Sequence, residues 1–549
     1  MRRFRIFSLF LLLFSLASLK AADDDFLRLL RGEVNRQSAL LQTKAKVYHL
    51  RFNVRDRYEV TIASSSGALT ASKVDEDRSL IPSYRLGDPM SDYLIGLRLM
   101  SIPTPIRLPF EIDSASFASV IREGCNRFLV ERIRSAPLKS QDIADLYAGE
   151  LPVFTSAPVV NYEEAPDRKK LSPEEIAVWE NRVKRISEQL LADTLFLQGR
   201  AQFSYEDLRF YCVASDGSAI VENRRYARLF FTGVVHSEEG TNPQLSKSYF
   251  AFSPDQLPPD SVIVNDVAGM MQTLRELSQA GEADSYEGPV ILSGDVAAVF
   301  FHETLGHRME GFKQRHKLNS KTLAARIGDR ILPESFSIED NPTIDTLNGV
   351  PLGGGYQFDE EGVRAERAEL IKGGVLTGFL TTRAPVPGVG KSNGHARAEW
   401  GRMPASRQSN LIVTCENLCS DAELRDRLKR EIVNQGKPFG YYVKQVSGGA
   451  TSVLVYSVDA FSVIPLLIYR VYPDNRPDEL VRGVKLIGTP LTSLSGILAA
   501  GVSTGIFNGI CGAESGRIPV SAVSPSLLIE RMELQRSSVK SEGFILPRP

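Results

Sequence analysis

Residues 288–307, GPVILSGDVAAVFFHETLGH, place two histidines and a glutamate at the end of a strand, turn and helix pattern. The first third of this segment predicts a strand and a turn, and Asp295 is a suitable cap for the helix that follows. Near the end of that helix, His302 and His307 flank Glu303. Zinc sites commonly use histidine nitrogens and keep one position open for water, which a neighbouring carboxylate deprotonates. The segment therefore predicts a metal site with Glu303 as general base.

The spacing of the two histidines is unusual for a metal-binding helix. His302 and His307 are five residues apart, whereas the familiar HExxH zinc motif separates its histidines by four. Five residues of a regular α-helix turn about 500°, so the two rings would diverge by about 140°. A shared metal ion therefore requires a locally widened helix or a position for His307 at the helix end, and Gly306 eases either distortion. Two structural histidines near a helix surface are the alternative interpretation.

A metal held by the protein needs a further ligand, and the residues alone leave that choice open. The candidates are His316, His395, Cys511 and the nearby acid Glu310. Cys511 stands between glycines that allow a close backbone approach, and a thiolate is a good zinc ligand. A small buried cysteine without a metal is the alternative, because that is the more frequent fate of a free cysteine.

Length and composition set the broad class of protein. The chain has 549 residues, which is too long for one hydrophobic core and predicts two or three domains. Its 43% hydrophobic and 24% charged residues are typical of a globular protein. A net charge of -1 disfavours binding to nucleic acid. Five cysteines, an odd number, leave at least one thiol free, bound to metal or paired with another chain.

The N-terminus predicts export. Arg2, Arg3 and Arg5 precede a short apolar run, and small residues follow at Ala21 and Ala22. This pattern is typical of a secretory signal peptide covering residues 1–22. An uncleaved membrane anchor is the alternative, disfavoured by the shortness of the run. Since no later segment is long and apolar enough, we expect a periplasmic or secreted protein without a stable membrane span.

Hydrophobic spacing divides the remaining chain into three parts. Residues 23–190 predict an N-terminal α+β domain, and residues 191–284 a central α+β segment. Residues 285–549 predict a C-terminal domain that carries the metal-site helix, and its many short β-like runs between turn signals indicate a sandwich or barrel. The predicted fold class is therefore α+β, an α/β N-terminal region with helices on a sheet followed by a β-rich C-terminal domain.

A glycine-rich segment at residues 390–394, GKSNG, matches the G-x-S-x-G pattern of serine hydrolases. That pattern needs an apolar strand before it and a helix after it, and neither is predicted here. We interpret the segment as a loop near the substrate, in which Asn393, His395 and Arg397 bind a carbonyl or carboxylate of a peptide. A solvated loop is the alternative.

The segments around the histidines resemble the TldD/PmbA family of metallopeptidases. The run HETLGH followed by Met309, Glu310 and Gly311 is similar to the HExxxH element of that family. The resemblance extends in family order over roughly residues 288–531. Its other segments are residues 358–362, 370–376, 392–397, 403–411, 440–444 and 510–512.

This resemblance implies a zinc-dependent peptidase. It implies that His302, His307 and Cys511 bind zinc and that Glu303 is the catalytic residue. Family members form dimers, often of a catalytic TldD-like subunit and a PmbA-like (TldE) subunit without the metal motif, and such pairs cleave unfolded peptides. The chain resembles the catalytic subunit, so we expect a homodimer or a heterodimer with a PmbA/TldE-like partner. A non-catalytic exported protein that binds metal or peptide on the same fold is the alternative, which the intact Glu303 disfavours.

Overall fold

A computed structural model describes most of the chain. The predicted signal peptide, residues 1–22, and the candidate ligand His316 lie outside the described residues. Among the helices described, none combines the length and the apolar character needed to cross a membrane. All five cysteines lie in the described part, and each is a free thiol. The described residues are 25–89, 104–111, 114–135, 151–191, 193–237, 242–315, 323, 325–451, 460–474 and 476–536.

A seven-stranded sheet forms the N-terminal half of the described structure. Its strands are β1 (Val47–Ser65), β2 (Ala68–Leu86), β3 (Ile106–Arg107), β4 (Asn161–Glu163), β5 (Phe196–Ala214), β6 (Ala219–Val235) and β7 (Gln244–Ala251). They lie in the order β3, β2, β1, β5, β6, β4, and β7 also pairs with β6. Strand β1 pairs antiparallel with β5 from Arg51 opposite Ala214 to Ser65 opposite Arg200, so the sheet joins strands from both sides of residue 190. The division into domains stays a prediction.

Helices cover both halves of one face of this sheet. Phe52 and Val60 of β1 are an even number of residues apart, so they point to the same face. Phe52 belongs to a core that includes Phe117, whereas Val60 belongs to one that includes Trp179. The aromatic ring of Trp179 stacks on that of Phe203 at 3.9 Å. The helices are α1 (Asp25–Ala45), α2 (Ser114–Ser135), α3 (Pro173–Gln189) and α4 (Asp260–Gln279).

The C-terminal half is built on a thirteen-stranded sheet and two short hairpins among the described residues. Its strands are β8 (Gly281–Glu282), β9 (Tyr286–Leu292), β10 (Phe336–Asp340), β11 (Thr346–Leu347), β12 (Val350–Pro351), β13 (Ala368–Lys372), β14 (Val375–Leu376), β15 (Ala396–Arg397), β16 (Ala405–Ser406), β17 (Asn410–Cys415), β18 (Leu418–Cys419), β19 (Gly440–Thr451), β20 (Phe461–Val471), β21 (Glu479–Arg482), β22 (Val484–Gly488), β23 (Ile497–Ala513) and β24 (Gly516–Arg536). Its helices are α5 (Gly294–Thr304), α6 (Phe312–Arg315), α7 (Asp421–Asn434) and α8 (Pro490–Ser495). The predicted class, α+β with a β-rich C-terminal part, is confirmed.

Helix α5 lies in the middle of the C-terminal core. From Val296 to Phe301 its sequence is apolar all round, and such a helix must be buried on every side. Every residue of α5 except Asp295 is buried, and its side chains contact β19, β23 and β24. The core around it includes Phe300 and Phe301, with ring centroids 5.5 Å apart. The apolar part of the helix therefore fixes where its polar C-terminal end lies.

A buried histidine lies where the two halves meet. The Nε2 atom of His49 on β1 lies 3.3 Å from an Oδ2 atom of Asp216, and Arg383 of the C-terminal half donates to the same oxygen. The ring of Phe154 lies beside both His49 and Arg383. Burial lowers the pKa of His49 to about 4, helped by Arg383, although the hydrogen bond to Asp216 opposes the shift. His49 is therefore neutral in the folded protein at neutral pH.

We expect His49 to make the folded protein sensitive to acid. Between pH 6.5 and 4 the unfolded chain binds a proton at this histidine and the folded chain does not, so stability falls as the pH falls. From pH 7 to pH 5, the wild type should lose roughly 2 kcal/mol more free energy of unfolding than His49→Gln. Urea unfolding followed by fluorescence at both pH values measures this difference. His236→Gln, at an exposed histidine, is the control, and equal pH dependence in wild type and His49→Gln would contradict the prediction.

Candidate metal centre

The two histidines of the motif lie on either side of a helix end. Helix α5 ends at Thr304, and His307 lies in the following 3-10 turn, Gly306–Arg308. Of the two arrangements that the spacing allows, the structure has the one with His307 at the helix end. The imidazole centroids are 4.9 Å apart and the rings are inclined by 78°. The break in the helix therefore brings together two rings that a regular helix would turn apart.

Two local contacts stabilise this break. A Cβ atom on Gly306 would lie 1.9 Å from Oε1 of Gln408, so a glycine is needed for the close approach. The Nη1 atom of Arg308 donates to the carbonyl oxygens of Glu303 and Thr304, at 2.8 and 3.0 Å. Carbonyl groups at a helix end have no partner inside the helix, and a basic side chain satisfies them. The sequence from Glu303 to Arg308 thus ends the helix and caps it.

Cys511 on β23 joins the two histidines. Its Sγ atom lies 3.4 Å from Nε2 of His307. One potential ligand atom from each of His302, His307 and Cys511 lies within 4.8 Å of the others. All three side chains are buried. Of the four candidates for the further ligand, Cys511 is the one that the described structure places beside both histidines.

The other candidates within the described residues have different positions. Glu310 lies behind His307, where its Oε2 atom is 3.1 Å from Nδ1 of that ring. His395 is fully buried and contacts Asp340 through Nε2, at 3.3 Å. A carboxylate on one ring nitrogen orients a histidine so that its other nitrogen can bind a metal. Glu310 is therefore suited to support a ligand.

Charged side chains that the sequence analysis did not single out surround the centre. Lys313 donates to Oε2 of Glu310, and Arg407 lies 3.3 Å from its other oxygen. The Nη2 atom of Arg407 also donates to Sγ of Cys511, at 3.2 Å. Lys313 has a local signal, since it stands three residues after Glu310 in a helical stretch. Arg407 has none, because tertiary structure brings it to Cys511.

The electrostatics of the centre favour a positive charge in its middle. Burial alone would raise the pKa of the Cys511 thiol, but His307 and His302 hold it well below its ordinary value. Burial alone would lower the pKa of His307, but Glu310 and Cys511 raise it to about 10. Negative groups thus draw a proton onto the ring. A bound metal cation would supply positive charge in the same place and would replace the proton on the ring.

The side chains fit a zinc ion. Two imidazoles and a thiolate are typical ligands for this metal. The Nδ1 atom of His302 and Oε2 of Glu303 are buried and have no hydrogen-bond partner among the described residues. Buried polar atoms are costly to leave without partners, and a bound ion with its water would supply them. The group His302, His307 and Cys511 is therefore a candidate zinc centre.

Glu303 lies beside this group and is held in place by a glycine. Glu303 as a whole is 6% exposed, and a Cβ atom on Gly449 of β19 would lie 2.5 Å from its Cγ atom. Burial raises the pKa of Glu303 above its ordinary value, while His302 and His307 oppose the shift. A carboxylate with a raised pKa is better suited to accept a proton near neutral pH. The contact with Gly449 had no signal in the sequence.

The three residues predicted to bind substrate contact other residues of the chain. The amide side chain of Asn393 accepts from the backbone of Thr381 and donates to that of Phe379, at 2.7 and 2.9 Å. Nδ1 of His395 lies 2.9 Å from Oδ1 of Asn393. Arg397 donates to the carbonyl oxygen of Gln408, at 2.7 Å. These contacts organise the loop, and the role of the three residues in substrate binding stays a prediction.

Comparisons with known proteins match the part of the chain that contains this cluster. Residues 285–536 match the model of the PmbA/TldA metallopeptidase C-terminal domain. A metalloprotease of Archaeoglobus fulgidus is 29% identical over 47% of this chain and 56% of its own length. A zinc metalloprotease TldD homolog of Saccharolobus solfataricus is 27% identical over 45% of this chain and 51% of its own length. The matched part of the chain thus spans about half the length of these relatives.

The fold is also similar to that of a solved structure. The structure of TldE from Thermococcus kodakarensis matches 91% of this chain and 99% of its own chain, with a TM-score of 0.59 at 14% identity. At this identity the likeness concerns the fold alone. The sequence match to the family model lies in the C-terminal half, which also contains the cluster of two histidines and a cysteine. Residues 285–536 thus match the C-terminal domain of the PmbA/TldA metallopeptidase family.

Proposed function

We propose that the protein is a zinc-dependent peptidase that hydrolyses peptide bonds in unfolded or extended peptides. The observation that carries this proposal is the cluster of His302, His307 and Cys511, whose potential ligand atoms lie within 4.8 Å of one another, beside the buried carboxylate of Glu303. The names of the related metalloproteases support it.

The side chains have distinct roles in this proposal. His302, His307 and Cys511 would hold a zinc ion, which would supply a Lewis acid to polarise the peptide carbonyl and make water more acidic. Glu303 accepts a proton from the attacking water and returns it to the leaving amine, which requires a position within hydrogen-bond reach of both. Burial excludes bulk water around Glu303 and raises its pKa, and both effects suit a general base that must release its proton again.

We also propose that the chain works as a dimer, either with a second copy or with a PmbA/TldE-like subunit. The likeness of the fold to TldE and the match to PmbA and TldD relatives support this proposal. Light scattering of the purified chain distinguishes a homodimer from a monomer. A monomer with full peptidase activity would contradict the proposal.

Replacement of Glu303 separates metal binding from catalysis. Glu303→Gln keeps the size of the side chain but cannot accept the proton, so we expect unchanged zinc content and a rate of peptide hydrolysis lower by about 10²–10⁴-fold. Elemental analysis and cleavage of an unfolded peptide, with and without chelator, measure the two properties. Glu276→Gln, at an exposed glutamate of α4, is the control. Full activity of Glu303→Gln would refute this mechanism.

Replacement of Cys511 tests the ligand set. Cys511→Ser removes the thiolate, and since a hydroxyl is a poor zinc ligand we expect far less than the wild-type zinc content. Cys419→Ser is a matched control, because Cys419 is also buried and its thiol contacts a backbone carbonyl, that of Ala500. Its zinc content should equal that of the wild type. Unchanged zinc in Cys511→Ser would remove Cys511 from the ligands.

Replacement of Gly449 tests the placement of Glu303. The new Cβ atom of Gly449→Ala would overlap the Glu303 side chain, so the carboxylate must move. A displacement of this size lowers the rate by roughly 10²-fold, and we expect unchanged zinc content because none of the three ligands is touched. The kcat for an unfolded peptide measures the effect. Gly269→Ala, where a Cβ atom meets no other atom within 4 Å, is the control, and wild-type kcat in Gly449→Ala would contradict the prediction.

A further inference from the structure

We propose that Arg407 is a positioning residue that holds two of the three metal ligands, Cys511 and His307, in one arrangement. The inference rests on the proposed metal centre and adds a residue that acts through the ligands. Arg407 is fully buried, and its guanidinium group lies between the strand that carries Cys511 and the carboxylate that contacts His307.

The first contact fixes the cysteine. The Nη2 atom of Arg407 donates both to Sγ of Cys511, at 3.2 Å, and to the carbonyl oxygen of the same residue, at 3.0 Å. One nitrogen thereby constrains the side chain and the backbone of Cys511 together. The direction in which the sulfur points thus depends on the position of the guanidinium.

The second contact reaches His307 through a carboxylate. Arg407 and Glu310 form an ion pair without a hydrogen bond between Nε and Oε1, which lie 3.3 Å apart, and Oε2 of Glu310 lies 3.1 Å from Nδ1 of His307. A carboxylate on Nδ1 favours a hydrogen there and leaves Nε2 free for a metal. The Nε2 atom faces Cys511, which Arg407 holds from the other side. The two ligands are therefore linked through Arg407 and Glu310.

A third set of contacts anchors the guanidinium itself. The Nη1 atom of Arg407 donates to Oγ of Ser515 and to the carbonyl oxygen of Gly516, at 2.8 and 3.0 Å. These residues lie in the turn between β23 and β24, where Ala513 pairs with Gly516. The planar fork of arginine serves several acceptors at fixed angles, which the single ammonium group of lysine cannot do. A lysine at this position would keep the charge and lose the link.

Zinc affinity tests this role without an activity assay. We expect Arg407→Lys to bind zinc about 10–100-fold more weakly than the wild type, because the loss of a group that orients a ligand typically has that effect. Competition with a chromogenic chelator measures the affinity. The cobalt(II) form adds a spectroscopic test, since the sulfur-to-cobalt absorption band should weaken or shift as Cys511 moves. Arg482→Lys is the control, because Arg482 is also buried and donates to a carbonyl and a hydroxyl, those of Ala280 and Ser237.

Combining two substitutions tests the link between the ligands. Glu310→Gln should also weaken zinc binding about 10–100-fold. If both residues act through one network, the zinc affinity of the double variant should be only a little lower than that of the single variant that binds zinc more weakly. If the two residues act independently, the two losses of affinity would multiply. Independent effects would overturn the link. If Arg407→Lys does not fold, as judged by circular dichroism, Glu310→Gln alone tests the network, and wild-type affinity in that variant would overturn it.

The outcomes separate this inference from the proposed function. Wild-type affinity and an unchanged cobalt spectrum in Arg407→Lys would overturn the positioning role and leave the metal centre intact. A wild-type protein that takes up neither zinc nor cobalt would overturn the metal centre, and the positioning role with it.

Discussion

The tight burial of helix α5 is the constraint on which the rest of the centre depends. At its start, a Cβ atom on Gly294 would lie 2.1 Å from the backbone nitrogen of Gly505. Just beyond its end, a Cβ atom on Gly306 would lie 1.9 Å from Oε1 of Gln408. The helix is thus packed without space at both ends, and its apolar side chains fill the core between them. This close packing positions His302 and Glu303 even though both are polar groups in a buried environment.

Burial of so many polar groups requires compensation by charge. Three carboxylates surround the centre, those of Glu303, Glu310 and Glu514, and Lys313 lies 3.7 Å from the last of these. Lys313 and Arg407 are the buried cations that face them. Isolated buried charges are very unfavourable, and pairing with hydrogen bonds offsets that cost. The lowered pKa of Cys511 and the raised pKa of His307 reflect the same pairing of opposite charges inside the centre.

The local geometry of the two histidines could be predicted from the sequence, whereas contacts between residues far apart in the chain could not. The spacing of His302 and His307 already required a widened helix or a helix end, and the structure has the helix end. The assignment of Cys511 as a metal ligand came from the resemblance to the family and not from local spacing, because Cys511 lies 204 residues from His307. The loop of Asn393 and His395 has the composition of a solvated segment, but its polar groups bond to one another inside the protein. Contacts of this kind depend on tertiary packing, which composition and spacing do not encode.

The N-terminal sheet contacts two strands of the C-terminal half that carry residues of the centre. Arg228 of β6 donates to the carbonyl oxygen of Asn508, on the strand that also carries Cys511. Gln445, on the strand that carries Gly449, donates to the carbonyl oxygen of Ser246 on β7. Strands β6 and β7 therefore contact both strands that flank the proposed zinc ligands and the general base. Since β6 pairs with both β5 and β7, these contacts connect the N-terminal sheet to the strands that carry Cys511 and Gly449.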